Sequence, residues 1–442
     1  MITAEPKISI GILEHAKEVQ GKFNGLYSLP NGKFIDGAFL LQVENELLVC
    51  KNAEGIEIAR ETELFIKSTE ATFTIHNVTI GINFHWERKE NQSFKGAMRC
   101  LVSNGEIIII NEISIEQYLL SVISSEMSAE APSEFLKAHA ITSRSWIMAM
   151  LERRKKSIAL GKQPINYTNT PDEIIRWYDR EDHQLFDVCA DDHCQRYQGI
   201  TKVISKNAEE AIKATFGTFL VHNNQICDAR FSKACGGRTE LFENCWEDTN
   251  VPYLQTVVDA SEPYPALTTE SEANDWIKSS PDVYCNTNDV RFLKMVLPSF
   301  DQETTDFFRW KVEYTQEQIR DILADRSGID FGIVMDIVPL QRGPSGRIYK
   351  LKIIGTKHTI SVGKELEIRR WLARTHLYSS AFVVDTERKS GGVPRKFIFQ
   401  GAGWGHGVGL CQIGAAVMAE KGFEAKEILE HFFSEVALKK LY

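Results

Sequence analysis

The sequence predicts an α+β fold: a β-rich N-terminal region, a central helical core with mixed β elements, and C-terminal helices. Three observations carry this reading. Residues 1–110 consist of short alternating segments broken by turn signals, "PNGK" at 30–33 and "SNGE" at 103–106. Two segments with helical period follow from residue 113. The last third alternates strand-like runs with short helices and closes on two helical segments. A chain of 442 residues, 43% hydrophobic and 25% charged, suits two to four structural units with a sizeable core.

In chain order, Ile8, Ile10 and Leu13 open a strand alternation, and "EIIIINEI" at 106–113 reads as a buried strand. Ser114 and Gln117 form a capping box for the helix "SIEQYLLSVISSEM", in which Ile115, Tyr118, Leu119 and Val122 fall on one face. Pro132 stands at the first turn of the next helix, whose expected inner stripe is Leu136, Ala140, Ser143, Ile147 and Met150. The cluster "ERRKK" at 152–156 reads as its solvated end. Residues 155–200 read as a loop-rich insertion, and 260–330 as a polar segment carrying the helix "TQEQIRDILADR". Strands resume at 333–363 around the turn "RGPSGR". The helix "KELEIRRWLA", the strands "AFVVD" and "KFIFQGAG", and two helices separated by Gly422 complete the chain. The predicted division is 1–112, β-rich; 113–260, the first part of a core with an insertion at 180–200; 261–330, an insertion or accessory subdomain; and 331–442, the second part of the core.

Charge and composition exclude several classes. The net charge of −9, without a long basic tract, argues against nucleic acid as a partner. No apolar run approaches the ~18 residues that span a bilayer. "MITAEPKISIGIL" lacks the basic and apolar regions of a signal peptide, so no leader is expected in this chain. Nine cysteines, an odd number, argue against a framework made only of disulfides.

Three features carry chemistry. Glu126 continues the Tyr118, Val122 stripe and lies at a helix C-terminus, so desolvation and the helix dipole are both expected to raise its pKa toward that of a general acid. The alternative is a solvated helix end. The segment "DHQLFDVCADDHCQRYQG" brings His183, Cys189, His193 and Cys194 together, a donor set suited to tetrahedral structural zinc, with no position left open for catalysis. The alternative is a set of unrelated loop residues, or a cysteine that pairs elsewhere in a disulfide. Third, "GAGWGHGVGLCQIGA" at 401–415 places glycine at every second position around Trp404 and His406. Its spacing does not meet the third glycine of G-x-G-x-x-G, and no G-K-[ST] follows, so it is not a nucleotide site. Close approach of the backbone to a ligand or to another strand remains.

The blocks "ISIEQYLLSVISSEM", "APSEFLKAHAITSRSW", "FSKACGGRTE" and "GWGHGVGLCQIGAAVMAEKGFEAKEILEHFF" together resemble the sporulation stage II protein D and amidase-enhancer family, in that family's order. The resemblance implies action on bacterial peptidoglycan in the cell envelope. It maps the family's catalytic glutamate onto Glu126. Arg144, His406 and Gln412 map onto motif positions, and here are expected to bind substrate. It also implies zinc at a cluster like 183–194. His139 stands where the family often has Gln, and Cys235 and Cys411 where it often has a small residue. The implied reaction is lytic transglycosylation: non-hydrolytic cleavage of the β-1,4 bond between N-acetylmuramic acid and N-acetylglucosamine in denuded glycan strands, giving a 1,6-anhydro product. Glu126 would act as both acid and base. The alternative is a non-catalytic peptidoglycan-binding protein that stimulates a cell-wall amidase.

Overall fold

A computed structural model describes residues 3–68, 70–82, 87–160, 167–178, 183–191, 193–203, 205–302 and 304–442. The predicted α+β class holds, with sheets first and helices last. The chain divides into two compact units, one formed by Met1–Glu130, Arg180–Thr218 and Lys440–Tyr442, the other by Ala131–Asp179 and Phe219–Lys439.

The first unit is built on two sheets. A six-stranded antiparallel sheet runs in the order Glu57–Glu61, Leu47–Asn52, Phe34–Glu44, Glu18–Ser28, Thr72–Ile80, Arg88–Lys95. In Glu18–Ser28 the period-two pattern is plain: Val19 and Phe23 are buried, whereas Glu18, Gln20, Lys22 and Asn24 face water. Phe23 meets Phe39 at 4.5 Å and Phe73 meets Phe94 at 5.3 Å between ring centroids, forming an aromatic core. The five-stranded sheet has the order Val188–Cys189, Lys7–Ala16, Glu106–Ser114, Ala97–Ser103, Glu63–Ile66. The "SNGE" turn signal forms a hairpin, with Asn104 at φ 52° and Gly105 at φ 71°.

The Ile115–Glu126 helix grows directly out of the Glu106–Ser114 strand. Here the predicted capping box fails. Ser114 is extended, pairs with Lys7 across the sheet and makes no side-chain cap. The Ile115 N–H instead donates to the Pro6 carbonyl, and the Glu116 N–H donates to Glu5 Oε1 at 3.2 Å. Sheet pairing has taken the residue that local sequence assigned to capping.

The second unit opens with the Ser133–Leu160 helix, where Leu136 N–H donates to the Pro132 carbonyl. A one-sided stripe was expected. Instead the helix is buried nearly all round from Phe135 to Leu151, including His139, Ser143 and Arg144, so it is central rather than amphipathic. Further on, a five-stranded sheet (Tyr167–Asn169, Glu173–Arg176, Thr359–Gly363, Ile348–Gly355, Val334–Arg342) and a three-stranded sheet (Arg309–Thr315, Pro394–Ala402, Phe382–Arg388) share a core with two helices. Those helices, Gln316–Ser327 and Glu365–Trp371, contribute Leu323, Ile368 and Trp371 to it. Thr315 and Gln318 cap the first of them reciprocally, and Gly328 closes it at φ 73°. The C-terminal helices Gln412–Glu420 and Ala425–Phe432 both pack on Ser133–Leu160.

Candidate functional site

In the first unit, Glu126 ends its helix with its side chain 9% exposed, so the solvated alternative is not what the fold adopts. Tyr118 and Val122, the rest of the predicted stripe, are fully buried. Residues 195–198 grip this helix face at three successive heights. Tyr118 Oη donates to Gln195 Oε1 at 3.1 Å, the Gln198 N–H donates to Ser121 Oγ at 3.1 Å, and the Arg196 N–H donates to Glu126 Oε1 at 2.9 Å. The rings of Tyr118 and Tyr197 stack at 5.3 Å. The carboxylate is therefore oriented by a backbone donor, which cannot swing away as a side chain can. No sequence pattern announced Arg196, because any residue there supplies the same N–H.

The same segment begins with the Cys/His cluster. His183, Cys189, His193 and Cys194 place one donor atom each within 4.8 Å of one another, an arrangement that could hold a metal ion. Cys194 Sγ lies 3.5 Å from His183 Nε2 and 3.5 Å from His193 Nδ1, and Cys189 Sγ lies 3.9 Å from His193 Nδ1. A tetrahedral ion with ordinary zinc bond lengths separates S and N ligands by about 3.5 Å, so the donor set fits. The Cys189 thiol is held far below its ordinary range, chiefly by Cys194, then by the two imidazoles and the Asp191 backbone, against desolvation. Only Gln195 stands between Cys194 and Arg196, so the cluster ties down the stretch that orients Glu126.

In the second unit, the glycine run is threaded between the segment around 230–240 and a buried arginine. Gly403, Gly405, Gly407 and Gly409 all have φ between 73° and 96°. Trp404 exchanges both backbone hydrogen bonds with Ala234, and the Glu240 N–H donates to the Gly407 carbonyl at 2.9 Å. Arg347, fully buried, donates to the Gly405 carbonyl through Nε at 3.2 Å and Nη2 at 3.1 Å. A Cβ at Gly407 would stand 2.4 Å from the Arg347 guanidinium carbon, so this glycine is required by close approach as well as by its φ of 76°. Trp404 packs against Tyr378 at 4.4 Å and Phe307 at 4.7 Å.

His406 is half-buried and meets the Trp246 ring edge-on at 4.9 Å. Its Nδ1 accepts the Val408 N–H at 3.0 Å, which assigns the remaining proton to Nε2. Burial, reinforced by Arg230, Arg347 and Arg369, pushes its pKa well below the ordinary value. Gln412 and Arg144 are buried to 1% and 0% exposure, so in this conformation neither side chain is open to a polymer. Gln412 Nε2 lies 3.2 Å from His139 Nε2 and donates to it. His139 is itself fully buried, stacked on Phe135 at 5.5 Å and edge-on to Phe231 at 4.9 Å.

A family model described as stage II sporulation protein matches residues 103–222. The segment holds Glu126, Arg144 and the whole Cys/His cluster.

The chain is similar to the stage II sporulation protein D family.

Among similar proteins, the stage II sporulation protein D of Bacillus amyloliquefaciens is 25% identical over 75% of this chain and 76% of its own length. The amidase enhancer of Bacillus subtilis is 23% identical over 53% of this chain and 33% of its own. An uncharacterized protein of Brachyspira hyodysenteriae is 23% identical over 93% of this chain and 87% of its own length. A second family model, described as a domain of unknown function, matches residues 240–409 and so covers His406 and most of the glycine run.

Proposed function

We propose that this protein acts on the cell wall as a lytic transglycosylase, cleaving the β-1,4 bond between N-acetylmuramic acid and N-acetylglucosamine in denuded glycan strands. The observation that carries the reading is Glu126: a buried carboxylate, at the end of a buried helix, with one oxygen oriented by the Arg196 N–H. In its protonated form Glu126 donates to the glycosidic oxygen as the bond from C1 of the muramoyl unit breaks, and positive charge develops at that carbon. The C6 hydroxyl oxygen of the same sugar then bonds to C1, and its proton returns to Glu126. The product is a 1,6-anhydro ring, and the carboxyl ends in its starting state. One carboxylate serves both steps because no water is activated, whereas hydrolytic glycosidases use two.

His183, Cys189, His193 and Cys194 would hold Zn2+ in this reading, with two thiolates and two imidazoles filling a tetrahedron. The ion supplies no step; it would hold the loop whose Arg196 N–H orients Glu126. His406, half-buried in the glycine run, is assigned to contact with the sugar. Gln412 and Arg144, being buried, are assigned to positioning. The reading places the protein at the cell envelope with peptidoglycan as its partner. Among the described residues no helix is long and apolar enough to cross a membrane.

The test is direct. Wild type and Glu126→Gln are incubated with glycan strands stripped of stem peptides, and the products are analysed by mass spectrometry. Anhydro-muramoyl ends are expected from wild type and none from the variant, with equal melting temperatures. Folded wild type that yields only reducing ends, or no cleavage, refutes the reading. The relative named amidase enhancer favours a second one, a glycan-binding protein that stimulates an amidase. In that case wild type and Glu126→Gln would both leave glycan intact and would accelerate stem-peptide release by a cell-wall amidase.

A further inference from the structure

We infer that Cys235, Asp259, Cys285 and Cys411, in the second unit, form another metal site, and that it takes a structural Zn2+. The four residues are buried to 1% exposure or less, and one donor atom from each lies within 4.8 Å of the others. Cys235 Sγ stands 3.7 Å from Cys285 Sγ and 3.6 Å from Asp259 Oδ2. Sulfur ligands on one tetrahedral zinc ion are separated by about 3.8 Å, and a sulfur and an oxygen by about 3.5 Å, from bond lengths of about 2.3 and 2.0 Å. A disulfide would instead require about 2.05 Å between sulfurs.

The surroundings are those of a ligand shell. The Cys235 N–H donates to Cys411 Sγ at 3.2 Å and the Cys285 N–H donates to Asp259 Oδ2 at 2.9 Å, the outer hydrogen bonds that orient metal-bound thiolates and carboxylates. Asp259 Oδ1 is buried and finds no hydrogen-bond donor among the described residues. A buried carboxylate in that state asks for a cation, and the guanidinium of Arg309 is spent on the carbonyls of Gly236, Trp276, Ser279 and Phe308. Space for the carboxylate comes from Gly414, where a Cβ would stand 2.4 Å from Oδ1 and 2.5 Å from Oδ2. Three thiolates and one carboxylate leave no open position, so the ion is structural. It would pin the loop holding Cys235 to Cys411, where the glycine run gives way to the Gln412–Glu420 helix. Ser232 and Cys411 already pair there across two short parallel strands.

The inference is independent of the proposed reaction and is tested by counting metal. Full-length protein produced with zinc is expected to carry about two equivalents by mass spectrometric elemental analysis, and Cys189→Ser/Cys194→Ser about one. A chain with Cys189 and Cys194 replaced that folds and carries no metal overturns the inference. So does retention of that equivalent after Cys411→Ser is added. Should the triple variant not fold, Co2+ loaded into Cys189→Ser/Cys194→Ser gives a second readout. An intense thiolate-to-cobalt charge-transfer band with tetrahedral d–d absorption is expected, and its absence overturns the site. Gly414→Ala is expected to abolish the remaining equivalent, although alanine is the better helix former. Detection of a Cys235–Cys285 disulfide in natively purified protein also refutes it.

Discussion

Replacing His139 by glutamine should remove a measurable part of the protein's acid sensitivity. His139 is fully buried, and desolvation, with Lys233 adding, pushes its pKa down to about 3. Its Nε2 accepts from Gln412, which favours the neutral ring. The folded-state pKa is thus depressed relative to an unfolded value near 6.5, so the unfolded chain binds the proton first. The stabilisation is fully present above about pH 6.5 and is lost as pH falls through the window toward about 3. At about pH 5 the unfolded state is favoured by roughly 2 kcal/mol through this one group, at about 1.4 kcal/mol per pH unit. For a unit of this size that corresponds to about 4–8 °C in melting temperature. Thermal unfolding followed by tryptophan fluorescence at about pH 7.5 and about pH 5 should show wild type losing more stability than His139→Gln by that amount. Some acid sensitivity should persist in the variant, because burial also lowers His376 to about 3. Identical pH dependence in the two proteins would refute the assignment of a buried, neutral His139.

Gly407→Ala should destabilise the second unit by about 2–4 kcal/mol, because it combines a left-handed backbone with a Cβ driven into the buried Arg347 guanidinium. Urea unfolding measures it, and a change within about 0.5 kcal/mol would mean that the run relaxes easily. Cys194→Ser should lower kcat on glycan strands by about tenfold to a hundredfold with little change in KM, since it loosens the stretch whose Arg196 N–H holds Glu126. An unaltered kcat would uncouple the cluster from the carboxylate. Thr315→Ala should cost about 1 kcal/mol in unfolding experiments, because Thr315 Oγ1 accepts the Gln318 N–H at 3.2 Å at the start of the Gln316–Ser327 helix.

Features encoded over short distances were legible in the sequence. The Asn104-Gly105 hairpin, the Thr315 helix and the Tyr118, Val122, Glu126 stripe all follow from neighbours within about two helical turns, where local geometry alone sets direction. His183, Cys189, His193 and Cys194 stood out because all four donors fall in one short segment. Ser114 misled for the opposite reason: its local pattern is a cap, but a strand partner at Lys7 claimed its backbone. The Ser133–Leu160 helix misled too. A helix enclosed on every side has no polar face to define a stripe, so the buried Arg144 and His139 gave no periodic signal.

What the sequence determined by itself was therefore the fold class, the helix that presents Glu126 and the close-packed Cys and His side chains of 183–194. Each depends on side-chain period or spacing along one element. Only the tertiary structure supplied the Arg196 N–H, which comes from 70 residues beyond Glu126 and carries no side-chain signature. Only the tertiary structure brought Cys235 beside Cys411, 176 residues away, with Asp259 and Cys285 completing the set. Backbone donors are chemically alike at every position except proline, and residues that far apart share no period, so their meeting is decided by packing alone.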